Sequence, residues 1–490
     1  MSLLPFLTIA FAAAAACLVV RRRTALEIPI GLGGLLLTTI GALVIVPGDQ
    51  LKLGRGDMLV GTAYGRLFLV LGSALGLILC LVGLATNWQS NLPAAILVGL
   101  GGIGIALSEP DPVIAIMVLL GSSIAGSLVM LNASVSASDL RVVVRHVRRI
   151  ALVGALAIVA IAWAGLSGGG IGGDPETLGL ADLAIVLAVA VAFGAIPFHR
   201  PVARLTDRAP GTAFPLLLVW GPAALAVVVL AATDGSTVAL LVPFGIGQAL
   251  IVTMATISLL LGAIGAWLQD DLEHVVGYSV VQDAGFVLLG LAIAGPAAHE
   301  PVRAWLLILI AAKTAFAAWA TVVGARFRTA RLPELSGWAR RSPLLAVALA
   351  GIALGTIGAP GLLAWNVRVA LVQGAAGEPL EAVLLIGGLA ALAYYGRILV
   401  IGLGRPSLLV GAAPGDRPVA IVPGQTTVAG LRTGWRANQA PIAAGLVLVL
   451  VLVTIVVAAG GFGGPAAARA AGPLASPQAS PTGPLASPTS

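Results

Sequence analysis

The sequence predicts an all-α integral membrane protein with about 14 transmembrane helices, and three observations carry that reading. First, the chain of 490 residues is 59% apolar and only 10% charged, with a mean hydropathy of +1.05. A soluble domain typically carries about 25% charged residues, so the charge needed to cover a water-facing surface is missing. Second, stretches 67–85 and 150–166 contain no Asp, Glu, Lys or Arg. A bilayer crossing takes about 20 such residues. Third, these runs are continuous rather than alternating. Backbone groups in hydrocarbon must then bond within each segment, which demands helices and not a β-barrel.

Apolar windows place the crossings at 3–20, 27–47, 67–85, 92–107, 111–131, 150–166, 179–198, 212–232, 240–267, 274–294, 302–325, 343–372, 380–403 and 439–459. Arg21, Arg22 and Arg23 follow the first, which reads as a retained helix and not a cleaved signal peptide. Loop charges test the count, because basic residues collect on the cytoplasmic side. Loops after odd-numbered spans hold Arg21–Arg23, then Arg141, Arg145, Arg148 and Arg149, then Arg200, Arg204 and Arg208. Further along they hold Arg326, Arg328, Arg331, Arg340 and Arg341, then Arg405, Arg417, Arg432 and Arg436. Loops after even-numbered spans carry mainly acids: Glu109, Asp174, Glu176, Asp234, Glu300 and Glu378. Lys52, Arg55, Arg66 and Arg303 are the exceptions. The alternation predicts both termini outside and the Arg-rich loops in the cytoplasm of a bacterial or archaeal-type inner membrane.

The net charge of +7 sits in short loops without interleaved aromatics, which argues against nucleic acid as a partner. Cys17 and Cys80 lie inside apolar runs and form neither a disulfide framework nor a metal site. Residues 406–438 read as a cytoplasmic loop. From about Gly460 the chain is Ala, Pro, Ser and Gly with GPLASP repeated at 472–477 and 483–488, which predicts a disordered tail over 460–490.

Two spans are interrupted alike. The seventh carries Gly194-Ala195-Ile196-Pro197-Phe198-His199 and the twelfth Gly355-Thr356-Ile357-Gly358-Ala359-Pro360-Gly361. Proline removes a backbone donor and glycine loosens the helix, so both helices should be broken. Matching breaks five helices apart are a mark of inverted-repeat transporters. The plainer alternative is that Gly and Pro are simply frequent in membrane helices.

Three segments, in order, resemble the antiporter-like membrane subunits of respiratory complex I and the related Mrp antiporters. The N-type subunit of complex I is the nearest in pattern. The segments are Ile196-Pro197-Phe198-His199 followed by Ala209-Pro210; Asp271-Leu272-Glu273-His274-Val275-Val276-Gly277-Tyr278-Ser279 running on through Asp283 to Gly290; and Leu335-Ser336-Gly337 through the twelfth-span break to Tyr394-Tyr395-Gly396-Arg397. The resemblance covers about residues 60–405. It implies two inverted five-helix repeats, spans 4–8 and 9–13, each holding half of a proton path. The chain then divides into helices 1–4 (1–110), a first antiporter-like half (111–235, with helix 4), a second half (236–405), the loop, a last helix (439–459) and the tail.

Ionisable groups at bilayer depth are functional candidates by default. Lys313, one of two lysines in the chain, lies mid-span, and lysine, unlike arginine, can give up a proton. The alternative is a lysine locked in a salt bridge. Asp283 stands where relatives often place a histidine. His199 matches the family's Pro-Phe-His, and histidine suits proton exchange near neutral pH. Arg368 follows the twelfth-span break and serves as a gate or an acid's partner, not as a relay. Arg397 reads as an interfacial anchor. The departures are as informative. Ala192 stands where the resemblance implies the seventh-helix lysine, Pro222 near the eighth-helix lysine, and Leu120–Ser123 where it implies the paired glutamate.

The resemblance thus implies a non-redox subunit of a proton-translocating NADH-quinone oxidoreductase, with other membrane subunits, lipid and protons as its partners. No cysteine cluster or glycine-rich fingerprint suggests a flavin, iron–sulfur cluster, nicotinamide or metal. The alternatives are a degenerate structural subunit that no longer pumps, favoured by the missing lysines and glutamate, and an Mrp-type cation/proton antiporter subunit.

Overall fold

The computed structural model describes residues 2–53, 57–86, 88, 91–130, 137–166, 175–206, 209, 211–235, 245–293, 299–375, 378–405 and 428–470. The loop at 406–427, the GPLASP repeats, Pro210 and Asp174 lie outside the described residues.

In chain order the first helices are α1 (Leu3–Val20), α2 (Thr24–Val44), α3 (Ala63–Ala85), α4 (Leu92–Ala106), α5 (Pro112–Val129), α6 (Ala137–Leu166), α7 (Pro175–Phe193) and the short α8 (Arg200–Thr206). A π-helical stretch, Pro215–Trp220, leads into α9 (Gly221–Gly235). Then come α10 (Gly245–Leu268), α11 (Leu272–Leu291), α12 (His299–Phe327), α13 (Trp338–Arg341), α14 (Pro343–Ile357) and α15 (Leu363–Ala375). The last are α16 (Glu378–Leu389), α17 (Ala391–Leu403), α18 (Val428–Ala458) and α19 (Gly464–Ala470). Among the described residues eleven helices are long and apolar enough to cross a membrane, and three shorter apolar ones, Leu92–Ala106, Leu183–Phe193 and Pro343–Ile357, accompany them. The chain is a multi-pass membrane protein.

Burial orders the bundle. The spanning window of α12 is 94% buried and that of α11 89%, against 28% for α5. Thus α12 is the central post, packed by α3, α11, α14, α15, α18 and α19. Its own Trp305 and Trp319 are buried, as are Trp220 and Trp338, which contact it at Thr314 and Trp319. Leucines and isoleucines on α2, α10 and α14 face outward instead, as lipid-facing surfaces require.

Both interrupted spans are broken. After α7, Gly194 takes φ +69°, the Ile196–Pro197 bond is cis, and the chain resumes in α8. After α14, Gly358 at φ +79° and Gly361 at φ +95° turn the chain before α15. These left-handed conformations are nearly free for glycine and strained for other residues.

Three expectations change. The last helix starts at Val428, not 439, so the loop expected over 406–438 is helical at its end; nothing in Val428–Asn438 breaks a helix, although it is too polar to look like a span. The tail does not begin at 460: a turn at Gly460 (φ +86°) admits α19, whose Ala468 is buried and whose Arg469 pairs with Glu300 at 2.8 Å. The alanine run that looked too weak for a core packs on α12 and α3 because alanine allows close helix approach. Finally, a two-stranded hairpin, β1 (Gln50–Leu53) and β2 (Asp57–Val60), pairs antiparallel with Leu51 opposite Leu59. Both leucines are buried, which anchors the hairpin to the bundle.

The close backbone approach of α10 to α11 supplies a test. A methyl group on Gly262 of α10 would lie 2.6 Å from the backbone nitrogen of Gln282 in α11. Gly262→Ala should therefore lower stability by about 1–3 kcal/mol through overpacking. Gly247→Ala on the same helix meets nothing within 4 Å and should be neutral or slightly stabilising. Thermal unfolding of both variants in detergent decides it.

Candidate functional site

Asp283 lies mid-way along α11, and Lys313 is the middle residue of α12. These two helices pack directly on each other. Lys313 Nζ is 2.5 Å from Asp283 Oδ2, with both side chains fully buried. Arg368, in the second turn of α15, brings Nη2 to 3.5 Å from Asp283 Oδ1. One carboxylate thus bridges two cations, using one oxygen for each.

The surroundings hold the arginine in place. Its Nη1 donates to the carbonyl of Ile357 at 2.9 Å. That residue ends α14, at the break. The guanidinium also lies over the rings of Phe286 (4.3 Å) and Trp305 (5.2 Å), a contact that favours a desolvated cation. Trp305 Nε1 in turn donates to the Asp283 backbone carbonyl at 3.3 Å. On the other side Thr314, next to Lys313, accepts from Trp220 Nε1 at 3.1 Å. Trp220 closes the π-helical stretch, so this bond ties the first half of the chain to the lysine's helix. Tyr394 and Tyr395 lie with ring centroids 4.5 Å apart and planes tilted by 44°, and Tyr395 meets Phe316, one turn past Lys313, at 5.1 Å.

Three of the four sequence candidates, Lys313, Asp283 and Arg368, are therefore in one cluster, and His199 is not. His199 is half-buried beside the broken end of α7, with its ring 6.1 Å from Tyr278. Tyr278 precedes Asp283 by five residues, about 7.5 Å of helix rise. The break beside His199 is closed by a neutral group: Ile196 N donates to Ser258 Oγ of α10 at 3.0 Å. Arg397 is not a free interfacial anchor. It donates to the carbonyls of Trp267 and of Gln269 (2.6 Å) and pairs with Asp270 at 2.7 Å, so it caps the end of α10.

The positions that lack the family's charges also converge. Ala192, Pro222, Leu120, Ser122 and Ser123 line one cavity of about 50 Å³ between α4, α5, α6, α7 and α9. His146 and Arg149 of α6 line it too, and both are buried. Sequence reasoning had placed Arg149 in a cytoplasmic loop and passed over His146. The signal was spacing: His146 and Arg149 share one helix face, whereas Arg145 and Arg148 share the exposed one. No group of three or more His, Cys, Asp or Glu side chains able to hold a metal occurs among the described residues.

Comparison with known proteins places this geometry. The family described as NADH:quinone oxidoreductase/Mrp antiporter, transmembrane region, matches residues 66–392. NADH-quinone oxidoreductase subunit N of Halorhodospira halophila is 28% identical over 257 residues, which is 49% of this chain and 51% of that protein. The chain thus spans about half the length of the curated relatives it matches. A chain of the Mrp complex from Dietzia sp. superposes with a TM-score of 0.74 at 19% identity, covering 96% of both chains. A chain of respiratory complex I from Thermus thermophilus superposes with a TM-score of 0.70 at 18% identity, covering 96% of this chain and 99% of that one. At these identities the two structures establish the fold.

The cluster makes an energetic prediction independent of any activity. Asp283→Asn leaves two buried cations facing each other and should destabilise by about 3–5 kcal/mol. Adding Lys313→Met removes one of them and should restore part of that loss. A double-mutant cycle by denaturant unfolding in micelles measures the coupling, and additive losses would show that the charges do not interact.

Proposed function

The chain belongs to the NADH:quinone oxidoreductase/Mrp antiporter family, and from that premise we propose that it is a proton-translocating membrane subunit of a complex I-type NADH-quinone oxidoreductase. Electron transfer takes place in other subunits of the assembly, and this bundle couples to it by moving protons. The observation that carries the reading is the buried contact of Lys313 with an aspartate that already holds a second cation.

The division of labour follows from side-chain chemistry. Arg368 does not release its proton, so Asp283 keeps a cationic partner whether or not Lys313 is protonated. When Lys313 passes its proton to water, the cluster goes from a net charge of +1 to 0 without leaving the carboxylate unpaired. Lys313 is then the carrier, Asp283 its electrostatic anchor, and Arg368 the link to the α14 break. His199 is the carrier proposed on the α7 side. Spans 4–8 and 9–13 form the two inverted repeats, and the Arg-rich loops face the cytoplasm with both termini outside. Neighbouring membrane subunits of the assembly cover part of the outward apolar surface.

A second reading, a structural subunit that no longer pumps, is favoured by the apolar Ala192 and Pro222 in the first half. Lys313→Arg separates the two, because it keeps the charge and removes the releasable proton. In liposomes containing the whole assembly, proton uptake should fall at least about tenfold for Lys313→Arg, Lys313→Ala and Asp283→Asn, with Lys313→Arg still assembling normally. Wild-type pumping in all three would overturn the relay and leave the structural reading. For orientation, a cysteine replacing the exposed Arg340 should react with an impermeant maleimide in inside-out vesicles and stay unlabelled in intact cells.

A further inference from the structure

We infer that the cavity in the first half is a binding site for one small monovalent anion of chloride size. The argument starts from charge. Arg149 is buried at the cavity wall, within the apolar window Val144–Trp163 of α6. Its Nη1 has no hydrogen-bond partner, and no acidic side chain pairs with it, among the described residues. A permanently charged guanidinium in that setting is costly unless something meets it.

Its protein neighbour does not neutralise it. Arg149 Nη2 lies 3.3 Å from His146 Nδ1. Arginine only donates, so that ring nitrogen accepts, and the histidine is neutral with its proton on Nε2. The pair therefore carries a net charge of +1.

Space and walls select the occupant. About 50 Å³ is open beside the guanidinium, room for one ion with a water or two. Ser122 Oγ donates to the Leu119 carbonyl at 2.9 Å and Ser127 Oγ to the Ser123 carbonyl at 2.8 Å. Both hydroxyl protons are thus committed, and the oxygens offer lone pairs to water. The ion lies in the open space against the Arg149–His146 pair, and a water bridges it to the serine oxygens. A cation is repelled by the guanidinium. A divalent anion would leave an uncompensated negative charge in an apolar wall. The absence of an acid at Leu120–Ser123 is what leaves this charge for a solute to balance.

The test uses the full chain in its native assembly, purified in detergent and equilibrated with radiolabelled chloride. One saturable chloride per chain is expected, displaced by bromide or nitrate and not by the bulkier gluconate. Arg149→Gln should weaken it at least about tenfold, and Arg145→Gln, on the exposed face of α6, should leave it unchanged. If Arg149→Gln does not fold, the halide competition and a bromide anomalous-scattering peak beside Arg149 in wild-type crystals carry the test. No saturable chloride in the wild type, equal binding in a folded Arg149→Gln, or a phospholipid lost from that variant in native mass spectrometry would each overturn the site.

Discussion

Asp283 between Lys313 and Arg368 is the interaction on which the second half of the bundle depends. Its three members come from α11, α12 and α15, and none is more than slightly exposed. A charge at bilayer depth costs several kcal/mol if left alone, so the three helices are held in the one arrangement that lets each charge meet another. Two cations around one anion leave a surplus of +1. The aromatic faces of Phe286 and Trp305 and the Ile357 carbonyl take up part of that surplus around the guanidinium. Among the described residues the lysine has no such supplementary partner.

The two helix breaks are closed by different chemistry. Breaking a helix in hydrocarbon frees backbone groups that must find partners. At the end of α7 the amide of Ile196 is met by the Ser258 hydroxyl, a neutral and local arrangement. At the end of α14 the carbonyl of Ile357 is met by Arg368, which also contacts Asp283. A change in charge at Asp283 or Lys313 therefore acts on the second break directly, through one side chain. The first break has no comparable ionic link among the described residues. Similar backbone interruptions can thus differ in whether they sense protonation.

What could be read from the sequence follows the range of the underlying interactions. Spans and breaks are local: apolar runs, Gly194 and Pro197, Gly358 and Pro360 all sit in the segments they shape. That Lys313 and Asp283 were worth naming was also local, since an ionisable group in an apolar run is conspicuous. Their contact was not legible, because 30 positions separate them and only the packing of α11 on α12 brings them face to face. Arg149 was misplaced for a related reason. It ends a basic run in which Arg145 and Arg148 are solvent-exposed, and only helical phase distinguishes it from Arg148. Arg397 reads as an interfacial anchor because two of its partners, the carbonyls of Trp267 and Gln269, belong to the main chain, and the third, Asp270, lies 127 positions away.

The halves also differ in how they handle missing charge. Replacing a long side chain by alanine or proline in a packed interior leaves space that neighbours fill only in part. In the first half Ala192 and Pro222 border such a space, and its walls carry serine oxygens, a histidine and an arginine rather than hydrocarbon alone. The walls are mostly apolar, and the serine oxygens with the Arg149–His146 pair are the polar groups a water there would meet. The first half is therefore not fully packed, and the space borders a fixed positive charge at Arg149. A fixed positive charge repels protons unless an anion balances it. On the inference of an anion beside Arg149, its arrival or departure would switch the field that a proton meets in that space.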